Sequence, residues 1–277
     1  MRFCVLLVLF AFTGCSSLLY HGTHKKYFDP EKHGLHQEDV TFASLDGTKI
    51  HAWYFKSKKA EKPRAQFVFF HGNGENLTSH FATLAWILPF GYDYLIFDYR
   101  GYGKSEGTPT PQGTVEDGEA AIRYLYHRNP KIPLIVFAQS LGGAVAIRSI
   151  VELHGQIPIK WVVLDSTFVS YEAEGRSLLS KSWVTWLFQP LADVLLSDSW
   201  APGDQIAQIS PIPILVMHGD RDRTVDYNLG LDLFKRAREP KEFWRIKDGV
   251  HTDAFWRHGG IYRVKFLKKL DEILKSN

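Results

Sequence analysis

Three kinds of side chain that could together cleave an acyl bond follow apolar runs in this sequence: a serine, aspartates and a histidine. Ser140 lies between the apolar run 132–138 and the helix-forming stretch 141–150. A serine at such a strand-to-helix turn, flanked by small residues, is typical of a nucleophile elbow. Gly142 supplies the small residue two positions later, and we expect it to lie close to Ala138, which stands where glycine is usual. The alternative is a serine that only caps the following helix.

A serine hydroxyl needs a base to accept its proton during attack, and histidine suits this role because its pKa lies near neutral pH. A carboxylate must in turn orient the imidazole and stabilise its cation. His251 follows the last apolar run, and Asp220 and Asp222 follow the run before it. Asp165, after an earlier run, is a third candidate for the acid. The residues alone leave the choice among the three aspartates open.

The negative oxygen formed during such an attack needs hydrogen-bond donors that are already in place. The backbone N–H of Leu141 begins the helix after the serine, where free amides and the helix dipole favour negative charge. The backbone N–H of Asn73 is the second predicted donor, and His71 and Gly72 form the loop that supports it. The alternative for this loop is a simple glycine-rich turn.

Short apolar runs alternate with amphipathic stretches along the chain. Strands are predicted at residues 40–44, 49–55, 66–70, 92–98, 132–138, 160–165, 212–217 and 241–246, with Asp46-Gly47 as a hairpin turn. Helices are predicted at residues 77–88, 113–127, 141–150, 228–238 and 252–275, the last with a break near Gly259-Gly260. The alternation predicts an α/β fold with a mostly parallel sheet and helices on both faces. The loops after the carboxyl ends of the strands would then meet at one edge.

Residues 166–210 interrupt the alternation. The interval has no clear strand and carries Trp183, Trp186, Phe188 and Trp200. We interpret it as a small helical cap inserted over the catalytic edge of the sheet. The alternative is two ordinary helices packed on the sheet.

These motifs together resemble the α/β-hydrolase superfamily, most closely the branch that contains Bem46-like proteins. The resemblance rests on residues 71–76, 98–107, 218–225 and 249–251 and on the elbow at Ser140. It implies an α/β-hydrolase fold over about residues 40–275 and a serine hydrolase that needs no cofactor. The superfamily pattern Gly-x-x-Asp, followed by valine three residues later, implies that Asp222 is the acid and that Asp220 shapes the loop.

Composition excludes several other classes of protein. The 33 basic and 30 acidic residues give a net charge of +3 and form no long runs, so we expect no nucleic-acid partner. The loop 100–107 lacks the ending of a phosphate-binding P-loop. His71, His218 and His251 could be interpreted as metal ligands, but the elbow gives this region a better-defined role. We therefore predict no metal.

The first residues are typical of a processing signal. Arg2 precedes an apolar stretch, residues 3–12, that is too short to span a bilayer as a mature helix. The sequence around Cys15 resembles a bacterial lipobox, which implies a signal peptide at residues 1–14 and a lipid-modified Cys15. The expected location is the cell envelope, on the outer membrane and facing the periplasm. Residues 15–38 are predicted as a tether and residues 39–277 as the hydrolase domain.

The predicted activity is the hydrolysis of carboxylic esters or thioesters through an acyl-enzyme, with Ser140, Asp222 and His251 as the catalytic residues. The aromatic cap favours a small-molecule or lipid-like substrate with an apolar acyl chain. Cys4 and Cys15 are the only cysteines, so a mature domain that begins at Cys15 would have no disulfide. Two alternatives stay open: a catalytically silent hydrolase fold that binds a partner in the envelope, and a peptidase of the same fold.

Overall fold

A computed structural model describes residues 19–59 and 62–276. The predicted signal peptide and Cys15 lie outside the described residues. Eight strands form one sheet, and each overlaps one of the eight predicted runs. They are β1 (Gln37–Ala43), β2 (Lys49–Phe55), β3 (Ala65–Phe70), β4 (Tyr92–Phe97), β5 (Leu134–Gln139), β6 (Ile159–Asp165), β7 (Ile214–Gly219) and β8 (Lys241–Ile246).

The order of the strands places the chemically important loops side by side. The order is β1-β2-β4-β3-β5-β6-β7-β8, with β2 antiparallel to both of its neighbours and β3 to β8 mutually parallel. From β3 the chain first runs outward to β4 and then returns across β3 to β5. The order therefore reverses between β3 and β5, and loops that follow such a pair of strands border the crevice where ligands bind in α/β sheets.

Helices cover both faces of the sheet, as predicted. They are α1 (Leu77–His80), α2 (Ala82–Ala85), α3 (Pro111–Arg128), α4 (Leu141–Glu152), α5 (Tyr171–Ser180), α6 (Pro190–Leu195), α7 (Tyr227–Arg236) and α8 (Ile261–Lys275). One buried cluster joins the sheet to α3, α4 and α7, and a second joins it to α1, α2 and α8. Side chains alternate between the two clusters along each strand: Val68 and Phe70 belong to the first, Phe67 and Phe69 to the second.

The predicted helix at residues 252–275 is wrong over its first part. The regular helix α8 begins only at Ile261, and residues 257–260 form a short 3₁₀ turn. Thr252, His258 and Gly260 have φ angles of 54°, 48° and 81°, in the left-handed region that a right-handed helix excludes. The predicted helix at residues 77–88 is likewise divided into α1, α2 and a 3₁₀ turn at Leu88–Phe90.

The tether predicted at residues 15–38 needs a correction where the structure describes it. Tyr20 is buried in the first cluster, and its hydroxyl lies 3.2 Å from Thr114 Oγ1. The backbone N–H of Thr23 donates to the carbonyl of Glu75 at 3.0 Å. Residues 19–36 therefore pack on the domain. A single tyrosine in a polar run gives no periodic signal, so the sequence could not reveal this contact.

The interval 166–210 is helical wherever it has regular structure. Besides α5 and α6 it contains 3₁₀ turns at Trp186–Phe188, Asp198–Trp200 and Gly203–Ile209. The helices α5 and α6 pack closely: a Cβ atom at Gly175 would lie 3.2 Å from Ala192 on α6 and 2.5 Å from Leu196 directly after it. Among the described residues, no helix is both long and apolar enough to cross a bilayer.

Candidate active site

Ser140 occupies a strained turn between β5 and α4. Its φ and ψ angles are 52° and −124°, outside the regions that residues with a side chain normally adopt. Two contacts hold the turn: Ser140 N–H donates to the carbonyl of Asp165 at 2.9 Å, and the Thr167 hydroxyl donates to the carbonyl of Ser140 at 2.7 Å. Strain of this kind persists where the surrounding structure imposes it, commonly at functional sites.

The reason why residue 142 must be glycine differs from the one expected. From the sequence we expect a close approach of Ala138. In the structure, a Cβ atom at Gly142 would lie 2.3 Å from the carbonyl oxygen of Phe70 and 2.5 Å from that of His71. The end of β3 therefore excludes a side chain here. The same contact brings the His71 loop against the start of α4.

Gly142→Ala is expected to lower the free energy of unfolding by about 1–3 kcal/mol, because the added methyl group would meet backbone atoms that cannot rotate away. Gly72→Ala is the matched control on the facing loop, since its Cβ would lie 3.5 Å from Ser140 Cβ, an ordinary contact. Urea unfolding of both variants measures the difference. Equal stability of the two variants would contradict the assigned contact.

His251 and Asp222 form a direct pair. His251 Nδ1 lies 2.7 Å from Asp222 Oδ2. The other carboxylate oxygen accepts the backbone N–H groups of Thr224 and Val225 at 2.8 and 3.0 Å. An ionised carboxylate can only accept, so the His251 Nδ1–H donates and Nε2 is left free for a second partner.

The other two candidate acids have different partners. Asp220 accepts a hydrogen bond from Arg245 at 2.9 Å on the outer side of the loop. Asp165 accepts from Gln139 at 2.9 Å and from Ser166 at 3.1 Å, and burial raises its pKa. Among the three aspartates, the structure pairs Asp222 with His251.

His218 is a supporting residue that the sequence analysis left without a role. It is fully buried, its Nε2–H donates to the carbonyl of Val225 at 3.1 Å, and Nε2 also lies 3.4 Å from Asp222 Oδ2. Burial opposes ionisation of Asp222, but the hydrogen bonds from His218 and His251 outweigh it and hold the pKa of Asp222 well below its usual range. His218 lies at the end of β7, directly before the loop of residues 220–226 that carries Asp222, which we call the acid loop; this position was the available signal.

Ser140 and the His251 loop lie at the same edge of the sheet, and both are hydrogen-bonded to residues at the end of β6. The backbone N–H of Thr252 donates to Ser166 Oγ at 3.1 Å, and Ser166 follows Asp165, whose carbonyl binds Ser140 N–H. No hydrogen bond joins the Ser140 hydroxyl to His251 among the residues that the structure describes. Such contacts are often long in hydrolases without substrate and tighten when it binds.

The two predicted oxyanion donors also lie at this edge. The backbone N–H groups of Asn73 and Leu141 take part in no backbone hydrogen bond within the described chain. The Asn73 side chain is held in place because its Oδ1 accepts from His21 N–H at 2.9 Å, Gly74 N–H at 2.8 Å and the Tyr102 hydroxyl at 3.0 Å. The N-terminal segment thus helps to shape the loop.

Below this loop lie the buried side chains of His71 and Asp98 and the half-buried side chain of His80. His71 Nε2 is 3.6 Å from Asp98 Oδ1, and the His71 and His80 rings stack with centroids 5.0 Å apart. Burial lowers the pKa of His80 to about 3, so its ring is neutral at physiological pH. Asp98 Oδ1 also accepts the N–H of Leu77 at 2.7 Å. These contacts stiffen the loop, and the sequence analysis missed His80 because it lies inside a predicted helix.

Glu174 on α5 lies within electrostatic range of Asp222 in the acid loop. It is 5% exposed, and its Oε2 has no hydrogen-bond partner in the described residues. Burial raises its pKa to about 8; Lys181 opposes this shift, and Asp222 and Asp226 add to it.

Glu174→Gln is expected to flatten the dependence of stability on pH. A carboxyl group with a raised pKa in the folded state binds its proton more tightly there, so the free energy of unfolding falls as pH rises from about 4.5 to about 8. Between about pH 5 and pH 9 the wild type should lose roughly 2–4 kcal/mol more than the variant, measured by urea unfolding. Glu172→Gln, two residues earlier on the same helix, is the control. A wild-type slope in Glu174→Gln would refute this assignment.

No group of three or more histidine, cysteine or acidic side chains within residues 19–59 and 62–276 is arranged to hold a metal ion.

The sheet order, the antiparallel second strand and the serine at the elbow define an α/β-hydrolase fold. Solved structures agree: an esterase from Pyrococcus furiosus, Pf2001, has a TM-score of 0.72 at 21% identity and covers 93% of this chain and 97% of its own. A fungal α/β-hydrolase, GrgF from Penicillium, has a TM-score of 0.65 at 18% identity and covers 87% of this chain and 98% of its own.

The profile of the family described as "Serine aminopeptidase, S33" matches residues 61–203. The chain belongs to this family of α/β-hydrolases. Protein YfhR from Escherichia coli K12 is 33% identical over 95% of this chain and 92% of its own length. The Bem46 protein of Schizosaccharomyces pombe is 26% identical over 74% of this chain and 67% of its own length, which confirms the resemblance to Bem46-like proteins.

Proposed function

We propose that this protein is a serine hydrolase that cleaves carboxylic ester or thioester bonds through an acyl-enzyme. The observation that carries the proposal is the His251–Asp222 pair, with 2.7 Å between Nδ1 and Oδ2, at the same sheet edge as the strained Ser140. A histidine whose inner nitrogen donates to a buried carboxylate has its outer nitrogen free to act as a base.

In the proposed mechanism, Ser140 Oγ attacks the acyl carbonyl while His251 Nε2 accepts the hydroxyl proton. Asp222 stabilises the imidazolium that forms. The carbonyl electron pair moves onto oxygen, where the N–H groups of Asn73 and Leu141 donate to it. When the tetrahedral intermediate collapses, His251 protonates the leaving alcohol or thiol. Water then attacks the acyl-enzyme by the same steps and releases the acid.

The surroundings of the site support an apolar acyl substrate. The segment 178–194 carries several exposed large apolar side chains, and Lys181 in this segment donates to the carbonyl of Thr224, two residues after Asp222. The solved structure of similar fold from Pyrococcus furiosus is named an esterase. An acyl chain that leaves water for such a surface gains about 0.8 kcal/mol per buried methylene group.

A series of p-nitrophenyl esters from acetate to palmitate tests the substrate class. We expect kcat/KM to rise with chain length at least as far as the medium-chain esters. The matched p-nitroanilides test the peptidase alternative, which the name of the family favours. If the amides are cleaved as fast as the esters, the protein is a peptidase; if kcat/KM peaks at acetate, the apolar acyl site is wrong.

We also propose that Cys15 carries lipid and holds the protein at the cell envelope, facing the periplasm. The support is the lipobox-like sequence alone. Metabolic labelling with radioactive palmitate tests it, with Cys15→Ser as the variant and Cys4→Ser as the matched control. Labelling of wild type and Cys4→Ser but not of Cys15→Ser is the expected result. Equal labelling of Cys15→Ser would show that the lipid is elsewhere.

A further inference from the structure

The cap exposes a dense group of large apolar side chains. Trp183 is 89% exposed and Leu187 is 74% exposed, the largest values among the large apolar residues of the described chain. We call the group the cap patch; it consists of Leu178, Trp183, Val184, Trp186, Leu187, Phe188, Leu191 and Val194. Its members lie on the end of α5, on α6 and on the turn between them. Soluble proteins seldom expose large apolar patches that bind nothing.

The cap patch lies within reach of the N-terminal segment. Tyr171, the first residue of α5, shares a buried cluster with Tyr20 and lies beside it. Cys15 is five positions before Tyr20, and a chain of that length spans at most about 18 Å. The helix α5 has 10 residues and is about 15 Å long. A lipid on Cys15 would therefore hold a bilayer within a few tens of ångströms of the cap patch.

The cap patch also borders the candidate active site. Lys181, between the end of α5 and Trp183, donates to the carbonyl of Thr224 in the acid loop. Glu174, one turn before the cap patch, lies within electrostatic range of Asp222. The one helix α5 thus begins beside the N-terminal segment and ends between the cap patch and the acid loop.

We propose that the cap patch docks on the surface of a lipid bilayer and that the substrate is an acylated molecule resident in that bilayer. The proposal rests on the esterase activity and the lipid on Cys15 proposed above. Tryptophan is enriched at the membrane–water interface, where acyl chains meet headgroups. The cap patch contains two tryptophans, Trp183 and Trp186. A short amphipathic segment with aromatic residues on its apolar face lies in this zone without spanning the membrane.

A bilayer fits the cap patch better than a second copy of the chain. The anchor raises the local concentration of lipid beside the cap patch, so docking is an intramolecular step that even a weak surface achieves. Lys181 and Arg176 at the edge of the cap patch add attraction to anionic headgroups, although Arg176 is paired with Asp193. A bilayer docked here would face the acid loop, and the acyl chain could pass from lipid into the site without crossing water.

The experiment uses the full chain reconstituted into vesicles of phosphatidylcholine and phosphatidylglycerol that carry brominated acyl chains. Bromine quenches tryptophan fluorescence only at short range, so docking of the cap patch should quench the part of the signal that Trp183 and Trp186 contribute among the eight tryptophans. We expect quenching in the wild type and its loss in Leu187→Asp, which places a charge at a highly exposed position. Phe90→Asp is the matched control, because Phe90 is 41% exposed and lies at the opposite edge of the sheet, before β4.

Activity gives the second readout. Leu187→Asp should hydrolyse a long-chain ester embedded in the vesicles about tenfold more slowly than the wild type. An absence of quenching in the wild type, or equal quenching in Leu187→Asp, overturns the docking. Cross-linking between copies that needs Leu187 but occurs without quenching assigns the cap patch to self-association and also overturns it. Quenching that depends on Leu187, without hydrolysis of any ester or thioester, leaves the docking in place and refutes the proposed function.

Discussion

Ser140→Ala is expected to lower kcat for the best p-nitrophenyl ester by about 10⁶-fold. Without the hydroxyl the acyl-enzyme cannot form, and His251 and Asp222 have no nucleophile to activate. A fluorophosphonate probe gives a second measurement, since it reacts only with an activated serine. The probe should label the wild-type protein and leave Ser140→Ala unlabelled.

The matched control is Ser210→Ala, at the opposite edge of the sheet before β7, where the hydroxyl donates to the carbonyl of Glu239. This variant should be labelled by the probe and should turn over substrate like the wild type. If folded wild-type protein takes up no probe, the hydrolase fold is catalytically silent and the binding alternative gains support. Labelling that persists in Ser140→Ala would place the nucleophile elsewhere.

Asp222→Asn has the second-largest expected effect, a fall in kcat of about 10⁴-fold. The amide can present an N–H to His251 Nδ1, which favours the tautomer in which Nε2 carries the proton and cannot accept one. Asp220→Asn, two residues earlier on the same loop, should retain most of the activity because Asp220 faces Arg245. If Asp165→Asn is more damaging than Asp222→Asn, the assigned acid is wrong.

The low pKa of Asp222 adds a measurement that does not depend on substrate. A carboxyl group whose pKa is lower in the folded protein stabilises the fold above the pKa of the unfolded chain, near 4, and this stabilisation is lost as pH falls further. The wild type should therefore lose more unfolding free energy than Asp222→Asn when the pH is lowered through that range. Parallel curves would show that the hydrogen bonds from His218 and His251 do not stabilise the charge.

Most of the fold could be predicted from local sequence patterns. Most strands are short apolar runs bounded by turn residues, and this pattern depends only on neighbours in sequence, so each of the eight strands overlaps a predicted one. The position of Ser140 followed from a strand, a small residue and a helix in succession. The parallel sheet followed because strands alternate with helices.

The features that could not be predicted depend on contacts between segments that are distant in sequence. The three aspartates have the same chemistry, and the residues alone do not say which of them points at His251; the family pattern favoured Asp222 and the structure pairs the two. Tyr20 joins the core through Thr114, a partner 94 residues away. Gly142 is constrained by Phe70 and His71 on another strand.

Residues 166–210 show most clearly what the sequence predicts and what only the packed structure reveals. The tryptophans of residues 166–210 gave the sequence analysis a reason to expect an apolar surface, but the side chains that cover a residue come from elsewhere in the chain. The structure leaves Trp183 exposed and buries Tyr171, twelve residues earlier. The type of each residue, and its neighbours, determined the elements and the candidate chemistry. Burial and pairing are properties of the packed chain, so only the three-dimensional structure could show which carboxylate serves His251 and which apolar side chains face outward.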